Sequence, residues 1–314
     1  IYTRIMNPTC DVLEKRVAAL EGGVAGLAVS SGQSATVLAI QNLAKNGDNI
    51  VSSTDIYGGT WNLFANTLKD QGIEVRFVDP TNTDAFETAS DNKTRAYFGE
   101  TLPNPKLNIF PIQEVANLGK KRGIPLILDN TAAPYICKPF KHGASIIVHS
   151  TTKYIGGQGS AIGGMIVDGG NFSWHEFKEQ QPALNRPDPS YHGVIWTEAS
   201  KPLGPIAFIL KARTTLLRDL GSAMSPFNAF QFIQGIETLP LRIERQSQNA
   251  SKVVDFLKKS KHISKVIYHS PLDENIKYFS KGLYGNLIGF HIDKGYETCK
   301  SFIDKLKLFY HVAN

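Results

Sequence analysis

The chain has 314 residues, 42% of them hydrophobic and 20% charged, and a formal net charge of +6. That length exceeds the size at which one core usually stops growing, so one large domain plus a smaller one is expected in an ordinary globular protein. The densest basic clusters, Lys120-Lys121-Arg122 and Lys258-Lys259-Ser260-Lys261, suit helix C-termini and carry no interleaved aromatic residues, which argues against nucleic-acid binding.

Strand-like apolar runs alternate with helix-like stretches along the chain. A strand at 26–30 leads through Ser30-Ser31-Gly32-Gln33-Ser34 into a helix over 34–45, and a strand at 49–53 ends before Asp55-Ile56-Tyr57-Gly58-Gly59 and a helix over 60–71. Strands at 74–79 and 96–101 follow, the second running into Glu100-Thr101-Leu102-Pro103-Asn104-Pro105 and a helix over 112–121. Two further strands at 125–129 and 144–149 end at Asp129-Asn130-Thr131 and Ser150-Thr151-Thr152-Lys153, with another strand at 163–167. The irregular stretch 169–204, carrying Pro182, Pro187, Pro189, Pro202, Trp174 and Trp196, reads as an ordered insertion near an active-site rim. Helical sequence resumes at Arg213, and one long helix over 228–258 is expected to bridge to a second domain. That domain starts with strands at 265–268 and 286–292 and a helix at 297–306. Such alternation predicts an α/β protein around a mostly parallel sheet, with ligands beyond the carboxyl ends of the strands.

Lys153 is the residue to weigh first. It follows a buried apolar strand and sits among hydroxyl side chains and the glycines of Gly156-Gly157-Gln158-Gly159. A confined, partly desolvated amine favours its neutral form and suits a lysine that makes a Schiff base with a carbonyl. Asp129 ends a strand one crossover earlier, and a carboxylate there can hold a heterocyclic nitrogen protonated. Gly32 and Gln33 open a helix whose N–H groups and dipole make a phosphate seat, to which Ser150 and Thr152 can add hydroxyls. The glycine spacing fits neither the Walker A pattern nor the dinucleotide fingerprint. Tyr57 is placed to lay its ring on a flat cofactor, and Asn104 lies in a loop stiffened by Pro103 and Pro105. Each has a plain alternative: a surface lysine, a turn aspartate, a capped helix, a half-buried tyrosine, a turn asparagine.

Taken together, Tyr2-Thr3-Arg4-Ile5-Met6-Asn7-Pro8-Thr9, Ser30-Ser31-Gly32-Gln33, Tyr57-Gly58-Gly59-Thr60, Glu100-Thr101-Leu102-Pro103-Asn104-Pro105, Asp129-Asn130-Thr131 and His149-Ser150-Thr151-Thr152-Lys153-Tyr154 resemble the Cys/Met-metabolism family of pyridoxal-phosphate enzymes, over nearly the whole chain and in the family's order. Asp188-Pro189-Ser190-Tyr191-His192-Gly193 and its surroundings look most like the O-acetylhomoserine sulfhydrylase branch. The resemblance implies the type I fold of pyridoxal-phosphate-dependent transferases. It has a large domain over 1–225 (with an N-terminal arm at 1–10) built on a seven-stranded, mostly parallel sheet flanked by helices, and the start of a smaller, truncated α/β domain at 226–314. It also implies that Lys153 holds pyridoxal 5'-phosphate and shuttles protons. Asp129 then pairs with the pyridine nitrogen, Tyr57 stacks on the ring and serves catalysis, and Asn104 bonds the ring hydroxyl. Gly32, Gln33, Ser150 and Thr152 bind the phosphate, while Tyr2 and Arg4 reach the phosphate of a neighbouring subunit in a dimer of dimers. In this family an arginine in a C-terminal strand region grips the substrate carboxylate. The chain ends before that region, and none of Arg213, Arg242 and Arg245 is promoted to the role.

The implied reaction converts O-acetyl-L-homoserine and sulfide to L-homocysteine and acetate in methionine biosynthesis. The sulfur donor stays open between free sulfide and a sulfur-carrier protein. The alternatives are cystathionine γ-synthase or methionine γ-lyase activity, and, from another class, a non-catalytic nucleotide-binding module. Three scattered cysteines, Cys10, Cys137 and Cys299, without a CxxC pair argue against disulfides or zinc and for a reducing, cytoplasmic setting. No histidine falls in an HExxH pattern, so no metal is expected, and no apolar stretch or signal peptide points to a membrane. Cys10 reads as a structural thiol. The chain opens without methionine and stops where a strand is under way, and it is read as part of something longer.

Overall fold

Continuous apolar runs build the centre of the molecule, because strands covered on both faces need side chains that tolerate burial on both. The computed structural model describes residues 1–280 and 282–312. Among the described residues, β1 (Ala25–Val29), β2 (Asn49–Ser53), β3 (Glu74–Val78), β4 (Thr94–Glu100), β5 (Leu126–Asp129), β6 (Ile146–Ser150) and β7 (Gly164–Asp168) form one sheet in the order β1-β7-β6-β5-β4-β2-β3. Every strand of this sheet lies within two residues of its expected position. Strands β3, β2, β4, β5 and β6 are parallel, and β7 runs antiparallel to both β6 and β1. β4 is buried along its full length, whereas edge strand β3 is half-exposed and carries Glu74 and Arg76, charges that blunt an open edge.

Helices cover both faces. On one, the helix Gly32–Gln41 and helical stretches over 58–70 and 207–220 bury Leu38, Phe64, Leu68 and Phe208 against Leu27, Phe98, Ile127 and Ile146. On the other, Leu13, Val115, Phe232 and Ile243 pack beneath Leu126, Leu128, Ile147 and Met165. The helix Pro8–Glu21 has no counterpart in the sequence reading, although its signals are complete. Asn7 accepts a hydrogen bond from the Thr9 N–H at 3.0 Å, Pro8 fixes the first turn, and Gly22 ends it at φ 80°.

Two expectations are corrected. The single helix over 228–258 is two helices, Pro226–Glu237 and Leu239–Lys258, broken at Thr238 just before Pro240, which has no N–H to continue the ladder. The stretch 169–204 supplies none of the residues that line the cavity at the strand ends and lends three large side chains to the core. Trp174, Leu184 and Trp196 are buried in the cluster around Phe208, and the Trp196 indole N–H donates to Asp188 at 2.8 Å. Beyond the large sheet, β8 (Ile263–Ile267) and β9 (Gly289–Ile292) pair antiparallel, followed by the helix Tyr296–Asp304. Among the described residues no helix is long and apolar enough to cross a membrane.

Asp168 closes β7 as a wholly buried carboxyl, one oxygen accepting from the Gly170 N–H at 2.9 Å and the other without a partner. Burial pushes it from 3.8 up to about 7. Its folded value lies above the unfolded one, so the stability it contributes is complete below the unfolded value and is lost as pH rises through about 7. Asp168→Asn, neutral throughout, should therefore be more stable than the native chain above neutrality. In urea midpoints the difference should grow by up to ~1.4 kcal/mol per pH unit between about pH 4 and 7 and stay flat beyond.

Candidate functional site

Parallel strands deliver their carboxyl ends to one edge, and the ends of β4, β5 and β6 open into a cavity of about 630 Å³. Eight of the residues singled out from the sequence line it: Gly32, Gln33, Tyr57, Asn104, Asp129, Ser150, Thr152 and Lys153. Tyr2 and Arg4 do not. Tyr2 is exposed, Arg4 lies over its ring at 5.0 Å, and an Arg4 guanidinium nitrogen donates to the Arg218 carbonyl.

One wall is the start of the helix Gly32–Gln41. Ser31 caps it, its hydroxyl accepting from the Ser34 N–H at 3.1 Å, so the first turn's N–H groups face the cavity as an anion seat. Gly32 is required here by close approach: a Cβ would lie 2.6 Å from Ser150 Cβ and 2.9 Å from its Cα. Gly164 is equally constrained, since a Cβ would lie 2.0 Å from the Ser31 carbonyl oxygen. Helix start and β6 end are thereby held in contact. Thr152 is tied to the same corner, its hydroxyl accepting from the Gly163 N–H at 3.1 Å.

The opposite end is acidic. Asp129 ends β5, with one oxygen accepting from the Thr131 N–H at 2.8 Å, so it is both a turn aspartate and a cavity wall. Burial holds its carboxyl above the ordinary range. Beside it stands Glu100, paired with it in the β4–β5 register and accepting from the Tyr57 N–H at 2.6 Å. Burial, and then the charge of Asp129, push Glu100 well up. Tyr57 projects from the loop after β2, and Gly59 leaves room for it, since a Cβ there would come within 2.5 Å of the ring. Half-buried Lys153 follows β6, its backbone turned by bonds from its own N–H to the Ser150 carbonyl and from the Gly157 N–H to its carbonyl.

Sequence reasoning missed Glu100 and Arg242 as cavity walls. Glu100 ends a strand, which is the signal the sequence carried, and only the β4–β5 pairing puts it beside Asp129. Arg242 shares a helix face with Gln246, four residues on, and both line the cavity. One nitrogen of Arg242 donates to the Gly235 carbonyl at 2.9 Å and another is buried without a partner. Arg213 is instead committed to Glu14 at 2.6 Å, away from the cavity. Cys10 is buried, its thiol pushed to about 11 by burial, and it lies outside the cavity lining.

The arrangement offers an amine, a hydroxylated anion seat, an aromatic ring and a buried carboxylate around one space. A flat heteroaromatic aldehyde bearing a phosphate at one end and a basic ring nitrogen at the other fits that set. Comparison with known proteins agrees. A model of the Cys/Met-metabolism pyridoxal-phosphate-dependent enzymes matches residues 1–314. The O-acetyl-L-homoserine sulfhydrylase of Leptospira meyeri is 52% identical across 100% of this chain and 73% of its own length. The homocysteine/cysteine synthase of Saccharomyces cerevisiae is 46% identical across 100% of this chain and 74% of its own. A Campylobacter jejuni structure assigned as an O-acetylhomoserine (thiol)-lyase, solved with N'-pyridoxyl-lysine-5'-monophosphate, superposes with a TM-score of 0.94. It is 42% identical and covers 100% of this chain and 78% of that one.

The contact at Gly32 can be tested directly. Gly32→Ala forces the helix start away from Ser150, and overpacking of this kind costs about 1–3 kcal/mol in urea unfolding. The same variant should take up pyridoxal phosphate more weakly in an absorbance titration, because the displaced N–H groups are those of the anion seat.

Proposed function

Because the chain belongs to the Cys/Met-metabolism family of pyridoxal-phosphate-dependent enzymes, we propose that it catalyses a γ-replacement, converting O-acetyl-L-homoserine and sulfide to L-homocysteine and acetate. The observation that carries this reading is the gathering of Lys153, Asp129, Tyr57 and the Gly32 helix start around one cavity, in a chain 52% identical to a sulfhydrylase.

When bound, the cofactor supplies an electron sink for the charge left on the substrate as its Cα proton is lost. The chain's own residues do the rest. Lys153 Nζ would be the nucleophilic amine that anchors the cofactor aldehyde, and it would then carry protons between substrate carbons. Asp129, buried and oriented by Thr131, keeps a ring nitrogen protonated. Tyr57 would cover the ring face, Asn104 would meet the ring hydroxyl, and the Gly32 and Gln33 N–H groups with Ser150 and Thr152 would hold the phosphate. Acetate leaves from Cγ and sulfide adds there, so one C–O bond is exchanged for one C–S bond without net oxidation. The second reading within the family, γ-elimination or cystathionine synthesis, differs in the nucleophile. The sulfur reaches the site as free sulfide or from a carrier protein.

Exposed Tyr2 and half-exposed Arg4 lie outside this chain's own cavity, which supports a role at the phosphate of a neighbouring copy in a dimer of dimers. The division at residue 225 into a cofactor domain and a smaller domain rests on the separate sheets. Metabolism of small amino acids from a chain with three unpaired cysteines suits the cytoplasm.

Borohydride reduction followed by peptide mapping should place a pyridoxyl adduct on Lys153, and an adduct on another residue would overturn the assignment. Lys153→Ala should lose roughly two to four orders of magnitude in turnover, the range for a proton-transferring side chain. In product assays with sulfide, cysteine and methionine offered in turn, homocysteine from O-acetyl-L-homoserine should dominate. Methionine breakdown to an α-keto acid as the main activity would rule the sulfhydrylase reading out.

A further inference from the structure

We propose that Glu100 is a positioning residue for the cofactor ring. Its buried carboxyl fastens the loop that carries Tyr57 to the end of β4 and keeps the one proton of a two-carboxyl pair, leaving Asp129 as the charge offered to the pyridine nitrogen. This deepens the reading of the cavity as a pyridoxal-phosphate site and rests on it.

Geometry comes first. Glu100 and Asp129 are direct partners in the parallel β4–β5 register, so their side chains leave the same face of the sheet, about 4.8 Å apart at the backbone. Both line the cavity, and Glu100 is only 6% exposed. Two carboxylates so close in a dry place do not both ionise. The fixed partners differ. Asp129 accepts from the Thr131 N–H at 2.8 Å within its own turn, while Glu100 accepts from the Tyr57 N–H at 2.6 Å on another loop. The other titratable groups on the cavity wall are Tyr57, Lys153, Tyr154 and Arg242. Asp129 is therefore the better anion and Glu100 the better acid, in agreement with the charge of Asp129 acting to raise Glu100. A neutral carboxyl also suits the hydrogen bonding: its carbonyl oxygen can accept from the Tyr57 N–H, leaving its hydroxyl free to donate.

Tyr57 and Asn104 sit on loops that follow different strands, and Glu100, at the end of the strand that leads to Asn104, holds the backbone N–H of Tyr57. Losing it frees the loop that covers the ring face as well as the proton of the pair.

Glu100→Gln and Glu100→Ala separate the two duties. Glutamine reproduces the neutral carboxyl, with an oxygen for the Tyr57 N–H and an N–H for Asp129. Glu100→Gln should therefore bind pyridoxal phosphate within about threefold of the native affinity, whereas Glu100→Ala should lose about tenfold or more, the scale of a broken buried hydrogen bond. Thermal midpoints of the cofactor-free protein give a second readout. A raised carboxyl contributes stability that is lost as pH rises through its folded value, so the native midpoint should fall with rising pH, above the ordinary carboxylate range, more steeply than that of Glu100→Gln. An alanine variant that binds like the native chain overturns the proposal. So does a glutamine variant as weak as alanine, or one with the native pH slope. Failure of the native protein to take up the cofactor sinks the reading of the cavity, whereas the pH slope judges the carboxyl pair in the absence of any cofactor.

Discussion

In a parallel sheet all strands point their carboxyl ends to one edge, and that alignment governs this molecule. The registers Glu100 to Asp129 and Asp129 to Val148 place β4, β5 and β6 level with one another, so the residues that end them meet without help from any loop. Side-chain alternation then sorts what they carry. Glu100, Asp129 and Ser150 leave on the face of the helix Gly32–Gln41, while Asn130 and His149 leave on the other and close onto buried Glu21. A slip of one residue in β5 would turn Asp129 away from the cavity and bring Asn130 into it.

Backbone contact fixes the other side of the cavity. Gly32 against Ser150 and Gly164 against the Ser31 carbonyl bring a helix start, a parallel strand and an antiparallel strand together within van der Waals distance. Lys153 follows within three residues of Ser150, so its reach is set by packing that has nothing to do with its own charge. Rigid elements of this kind carry a site more precisely than loops do. The exceptions are Tyr57 and Asn104, which stand on loops, and the Tyr57 loop is fastened by its N–H to Glu100.

The strands were legible because β4, β5 and β6 are apolar on both faces and stop at turn residues, a pattern with few other readings. Eight site residues were legible for the same reason, each lying within a few residues of a strand end or a helix start. Helix boundaries were less so. Pro240 carried the signal that splits 226–258, yet the apolar spacing on either side reads as one helix. Trp174 and Trp196 looked like rim residues because prolines surround them, and only the fold shows that they complete the core around Phe208. Glu100 was hidden in its own motif. Its importance depends on which strand lies beside β4, and a sequence does not state strand order.

A buried carboxyl pair is an unusual thing for a stable protein to keep. Among the described residues no lysine or arginine is hydrogen-bonded to Asp129 or Glu100, so in the cofactor-free protein their burial works against folding. On the proposed reading a protonated ring nitrogen facing Asp129 would supply the missing cation, and the anion seat at Gly32 would gain its anion in the same event. Binding therefore satisfies both ends of the cavity together. Any ligand held only by the native state adds to stability through mass action. Here the gain is concentrated where the empty fold is weakest, which links the strain of the acidic end to selection for a ligand that is cationic at one end and anionic at the other. The same logic explains why the carboxyls are not replaced by apolar residues that would pack as well. Such residues would stabilise the empty fold and leave the ring nitrogen without a partner.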